Sequence, residues 1–202
     1  MKLNNLTNLN DYLNLYDKIE LSNINNETLT NFNLNELEIL KSKITNSKLT
    51  NCNFEKSYLN NVIFKNCDLT NTIFSKSSFK NVIFDNCSLV GSDFTNCSFS
   101  NIQIISSKVN NAFFDESRIS NFTLKSSSFN NSSISNTNLK NITFENSEFI
   151  YTNFSNTSLN NIDFTSCKIE GITTYPKDLK GVILTEYQAL DFVRLLGIKI
   201  KE

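Results

Sequence analysis

From Leu34 to Ile169 every fifth residue is apolar, 28 positions in unbroken succession that begin Leu34, Ile39, Ile44, Leu49 and Phe54. Thirteen of the 17 phenylalanines fall on this register. Two residues before each centre, 20 of the 28 positions hold Ser, Thr, Ala or Cys, and two residues after it 17 hold Asn. A period of five fits neither the 3.6 of a helix nor the 2 of a strand. The five-residue unit is therefore the structural element, and the chain is a solenoid.

A second period lies over the first. The small position is large at Val62, Val82, Ile102, Phe122, Ile142 and Ile162, which are 20 residues apart, so four five-residue sides make one coil of square section. The apolar centre and its small neighbour both point inward, because two side chains per side must share a narrow interior. Asn or Gly two residues after each centre suits a corner, since both tolerate positive φ. The β-branched segments NVIF (61–64 and 81–84) and NITF (141–144) predict regular parallel strands on the side that runs from Val62 to Ile162.

The unit is a small residue, then Asp or Asn, then Leu or Phe, then two variable residues. It occurs as SNINN (22–26), CDLTN (67–71), SDFTN (92–96) and TNFSN (152–156), and in this it resembles the pentapeptide repeat proteins. The resemblance implies an all-β solenoid, a right-handed quadrilateral parallel β-helix. Its handedness comes from the resemblance alone. The register gives about seven to eight coils, closed by an N-terminal cap and a short C-terminal α-helix.

The ends depart from the repeat. Residues 1–21 are expected to cap the first coil, where Leu9, Tyr12, Leu13 and Tyr16 at spacings of three and four predict a short helix or irregular segment. The repeat domain spans 22–184. Pro176 interrupts it and GVIL (181–184) resumes it. In 185–202, Thr185 and Gln188 form a capping box, and the helix they open is expected to run through about Leu196 to a stop at Gly197. Leu190, Phe192, Val193, Leu195 and Leu196 make that helix apolar on more than one stripe, one to plug the coil and one for a partner. The segment 178–198 is also similar to the C-terminal end of the quinolone-resistance pentapeptide proteins, in which this helix pairs two rods end to end. The resemblance implies a homodimer through these five residues; a helix that only caps a monomer is the alternative.

Composition narrows the chemistry. With 35 Asn and 25 Ser among 202 residues the chain would be read as disordered, were it not for the register. A net charge of −1 argues against direct nucleic-acid binding. No apolar stretch reaches the roughly 18 residues of a membrane span, and MKLNNLTNLN offers no secretion signal, so a cytoplasmic protein without membrane association is expected. There is no His, and Cys52, Cys67, Cys87, Cys97 and Cys167, spaced by multiples of five, all take the small inward position. They are expected to be structural, with no metal site and no cofactor. Carboxylate pairs such as Asp115 and Glu116 point outward on a filled coil without a cleft, so no catalytic residue and no enzyme activity are expected.

The outward residues sort by side. The sides centred on Phe64 and on Leu69 each balance three Lys against three acids, and the side centred on Phe74 carries −2. Beyond residue 58 the remaining side carries Lys80, Arg118 and Lys140 with no acid, for +3. A regular surface for ice or carbohydrate would need an unbroken outward Thr or aromatic ladder, and the column of Thr123 and Thr143 also holds Ile63, Ile83, Gln103 and Asp163, so of three functions two compete closely. One is a scaffold whose faces bind a protein partner, with Ile63, Ile73, Ile83, Phe113, Ile150 and Tyr151 as contact candidates. The other, implied by the quinolone-resistance resemblance, is a DNA mimic that occupies DNA gyrase or topoisomerase IV. A mimic requires rows of carboxylates at phosphate-like intervals, and no side supplies one.

Overall fold

The computed structural model describes residues 17–193 and 198–199. Three short strands open it: β1 (Lys18–Glu20), β2 (Asn23–Asn25) and β3 (Thr28–Thr30). They are followed by β4 (Glu38–Thr45) and β5 (Lys48–Thr50). Five eight-residue strands continue the coil: β6 (Tyr58–Lys65), β7 (Ser78–Asp85), β8 (Ser98–Ile105), β9 (Arg118–Lys125) and β10 (Asn138–Glu145). A 3-10 helix (Pro176–Leu179) and one α-helix, α1 (Glu186–Val193), close the described chain.

Every pairing is parallel and offset by 20 residues, from Lys18↔Glu38 to Asp163↔Ile183. The four-sided coil read from the sequence is therefore the architecture. The corners are as regular: from Leu21 to Asn161 every fifth residue has positive φ, Gly91 included. Lys, Glu, Ser and Tyr take that conformation at several corners where Asn is absent, as at Lys56, Glu116, Ser126 and Tyr151.

Four expectations are corrected. The strands do not occupy one side but bend through a corner, so that β6 covers the side of Leu59 and the side of Phe64, with Asn61 at φ 55 between them. The ladder also ends at Glu145, short of Ile162. There Ile162 N donates to Leu159 O, a turn bond three residues back, and Leu159 N turns to Asp178 O in the 3-10 helix. Such turn bonds also close the corners after Phe54, Leu69 and Phe74, whose sides keep a single bridge each. The long bent strand consequently stacks six deep, about six full turns against the seven to eight expected. At the other end β1 is already in register with β4, so residues 18–20, assigned to the cap, form a rung of the solenoid. The helix-like spacing of Leu9 to Tyr16 lies outside the described residues.

Inside, the 28 centres from Leu34 to Ile169 are buried, with Leu139 partly so. Phenylalanines stack on their neighbours one coil away: Phe64 on Phe84 at 5.1 Å, Phe79 on Phe99 at 4.8 Å and Phe94 on Phe114 at 4.6 Å between ring centroids. The small positions hold hydroxyls that would be costly if unpaired. Most reach a carbonyl 23 residues back, as Thr72 Oγ1 does to Leu49 O (2.8 Å) and Thr152 Oγ1 to Phe129 O (2.8 Å). Ser77 Oγ both donates to Phe54 O (2.8 Å) and accepts from Ser57 N (2.9 Å). Each such hydroxyl clips two coils together.

Candidate functional site

Among the described residues the interior is filled by packed side chains. Two apolar cavities of about 10 Å³ lie within the stack, one lined by residues such as Ile39 and Phe54 and the other by Phe114 and Leu139. A water would find no polar partner in either. An open groove of about 330 Å³ runs along the side centred on Leu69, lined by Cys67, Asp68, Cys87, Ser88 and Lys108. Its floor is made of thiols that are only 3% exposed.

The five cysteines are free and buried. Cys97 Sγ donates to Phe74 O (3.0 Å), and burial pushes its thiol up to about 12. Burial raises Cys52 and Cys167 as well. Cys67 and Cys87 stand in adjacent coils; their mutual thiol hydrogen bond, then burial, hold Cys87 protonated well above the ordinary range. Among the described residues no three His, Cys, Asp or Glu converge in a way that could hold a metal ion.

On the outside, polar residues are ordered in columns. Corner asparagines form ladders: Asn66 Nδ2 donates to Asn46 Oδ1 (3.0 Å) and Asn86 Nδ2 to Asn66 Oδ1 (2.9 Å). A second ladder joins Asn61, Asn81 and Asn101. Charges pair across rungs in the same way. Lys65 meets Asp85 at 2.6 Å, Lys125 meets Glu145 at 2.8 Å, Lys168 meets Glu148 at 2.8 Å and Lys76 meets Glu55 at 2.7 Å. The hydrogen bond from Lys76 holds the Glu55 carboxyl below its ordinary value, and those from Lys168 and Asn130 do so for Glu148. Three hydrogen bonds from Ser133 Oγ, Ser135 N and Ser135 Oγ converge on Asp115 Oδ1.

The contact candidates fall in three places. Ile63 and Ile83 are register partners, Ile63 exposed and Ile83 half-buried. Ile73 and Phe113 share another column with Asp93 between them, and both are exposed. Ile150 is half-buried beside Tyr151, which is 68% exposed at a corner and lays its ring over Gly171.

At the C-terminal end the capping box forms: Thr185 N donates to Gln188 Oε1 (2.9 Å) and Gln188 N to Thr185 Oγ1 (3.3 Å). The Gln188 amide also donates to Phe164 O and Cys167 O, both at 2.8 Å, which ties α1 to the last coil. That second role has no signal in the sequence, because the carbonyls it reaches are exposed only where the corner at Ser166 leaves the positive-φ run. Phe192 is 8% exposed against the core and Val193 half-buried, while Tyr187 and Leu190 are exposed at 84% and 49%. Leu195, Leu196 and the stop at Gly197 lie outside the described residues. No helix among the described residues is long and apolar enough to cross a membrane.

The model of the pentapeptide repeat region matches residues 38–114 and 77–152, together more than half of the chain. A search of curated proteins finds no match. Among solved structures the chain is similar to HetL, a pentapeptide repeat protein involved in heterocyst differentiation regulation from the cyanobacterium Nostoc sp. strain PCC 7120. The identity is 13% over 88% of this chain and 95% of HetL, with a TM-score of 0.52, a likeness of fold alone. QnrB1, a plasmid-mediated fluoroquinolone resistance protein, matches at 22% identity over 87% of this chain and all of its own, with a TM-score of 0.49. The matched repeat region, the five-residue register and the square coil together establish that the chain belongs to the pentapeptide repeat family.

Proposed function

We propose that this protein is a non-enzymatic cytoplasmic scaffold that binds a protein partner along the outer faces of its coil. One observation carries the proposal: every inward position is committed to packing or to coil-to-coil hydrogen bonds, whereas the outward positions vary freely around a fixed frame. Tyr187 and Leu190 extend the proposal to assembly. They present an apolar stripe on the far side of α1 from Phe192, and two copies meeting there would bury it.

Topoisomerase protection asks for a row of carboxylates, and on three of the four sides an acid is paired with a lysine in the neighbouring coil, as at Asp85, Glu55 and Glu148, which breaks any such row. The discriminating experiment is a gyrase supercoiling assay with rising concentrations of the protein, with and without a fluoroquinolone, beside affinity capture of partners on the immobilised rod. The scaffold proposal expects unchanged supercoiling and a stoichiometric partner lost when Ile63, Ile73, Phe113 and Tyr151 are replaced by Lys. Inhibition or drug protection at low micromolar concentration would replace it with the mimic.

A further inference from the structure

The side formed by the first limbs of β6 to β10 differs from the others in one respect. On the other sides lysines share their face with acids and several meet one in the neighbouring coil, as in the pairs above, although among the described residues Lys43 and Lys108 make no ion pair. Lys80, Arg118 and Lys140 are exposed and, among the described residues, have no ion pair or hydrogen-bond partner. Their own columns explain why. Within β6 to β10 one runs Asn60, Lys80, Ser100, Ser120, Lys140 and the other Tyr58, Ser78, Ser98, Arg118, Asn138, with no carboxylate in either; the same columns reach acids at Glu20 in β1 and Glu38 in β4. Glu116, at the corner before Arg118, makes no ion pair with it. Three cations thus stand unneutralised over a floor of serines, on a molecule whose net charge is −1.

We propose that this side docks an extended, acidic segment of a protein partner lying along the axis of the rod. The inference rests on the scaffold proposal and names its face and its ligand class. Geometry sets the match. Lys80 and Lys140 are three rungs apart, about 14 Å at the usual strand spacing, and alternate residues of an extended peptide repeat at about 6.7 Å, so carboxylates four residues apart meet both lysines. Arg118 lies between them in the other column and offers a planar fork to a third carboxylate. Ser78, Ser98 and Ser100 are short, so a peptide backbone can approach the sheet and bond to their hydroxyls. A single-stranded nucleic acid would need aromatic platforms for its bases, and Tyr58 is the only outward-facing aromatic residue on this side from β6 to β10; the net negative charge opposes it further.

The test is fluorescence anisotropy of a labelled peptide of alternating serine and glutamate, at low ionic strength, against the wild-type chain and the triple variant Lys80→Glu, Arg118→Glu, Lys140→Glu. Circular dichroism confirms that the variants keep the β signal. Saturable binding is expected, weakened at least about tenfold by the triple variant and less than about twofold by Lys65→Glu on the neighbouring side. A peptide that does not bind, or binds the triple variant equally well, overturns the site. Tighter binding of a labelled oligothymidylate at the same residues overturns the ligand class. A natural partner still captured by the triple variant but lost with changes on another side would overturn this inference and leave the scaffold proposal standing.

Discussion

Asn86 Nδ2 donates to Asn66 Oδ1 at 2.9 Å, and the two residues, 20 apart in sequence, stand in the same left-handed corner conformation at φ 53 and 54. One residue type thus serves two purposes: it tolerates the corner and it ties that corner to the next coil. The two are separable. Asn86→Gly keeps the backbone and drops the amide bond, for a loss of about 0.5–1.5 kcal/mol. Asn86→Ala also places a side chain without local hydrogen bonding at positive φ and is expected to lose about 1–2 kcal/mol more. Urea unfolding midpoints should fall in the order wild type, Gly, Ala; equal midpoints for Gly and Ala would show that the corner tolerates any side chain.

Phe94 stacks between Phe74 at 5.1 Å and Phe114 at 4.6 Å and is 1% exposed. Phe94→Ala should cost about 3–5 kcal/mol, because stacked coils collapse poorly onto a gap. Phe94→Asp should unfold the coils on either side of it, since no space exists to solvate a charge. Thermal melts followed by circular dichroism check both, and a melt of Phe94→Asp that coincides with wild type would contradict the inward assignment.

Leu190 and Phe192 are close in sequence but divide the labour of α1. Leu190→Asp should lower the mass seen by light scattering from dimer to monomer with the melt unchanged. Phe192→Asp should instead lower the melting temperature, because Phe192 is packed on the last coil. An unchanged mass for Leu190→Asp would remove α1 from assembly.

Stability should fall as pH drops into the carboxylate range and as it rises past the ordinary thiol range. Glu55 and Glu148 are held below their ordinary 4.5 by hydrogen bonds from lysines. Hydrogen bonds from Thr165 hold Asp163 below 3.8. Groups shifted this way favour the folded chain above the unfolded value, and the gain disappears as pH falls through the folded one. Burial raises the Cys52 and Cys167 thiols above 9.0. Unfolded thiols therefore ionise first, and stability declines as pH rises past that value. The chain has no histidine, and the thiol that lies between these ranges is Cys67, lowered to about 7 by its hydrogen bond with Cys87. Urea midpoints should fall below about pH 4.5 and again above about pH 9, and midpoints that stay level on the acid side would show that the bonds from lysine to these carboxylates add nothing to stability.

What the sequence made legible follows from how strictly each position is constrained. The centres could be read because a buried side chain must be apolar, and the corners because Asn and Gly dominate a left-handed bend. The extent of the strands could not be read from the β-branched residues alone. β6 bends onto the side of Tyr58 through Asn61, and near Ile162 a turn bond from Leu159 displaces the ladder despite a β-branched residue. Phe192 and Leu190 looked alike in the pattern, and only the angle at which α1 meets the coil separates them. The charge asymmetry of the side bearing Lys80 was visible as a count. That its cations lack partners required the columns, since Lys65 would look equally free until Asp85 is placed beside it.

The constant offset of 20 residues gives the rod a compass. Inserting five residues at a corner would keep every core rule satisfied and yet turn all that follows by a quarter revolution, so that Arg118 and Lys140 would face a different direction from Lys80. Inserting twenty would only add a storey. Such a molecule can lengthen by whole storeys without disturbing the bearing of any face, and what it presents to its surroundings is written in residue number modulo twenty.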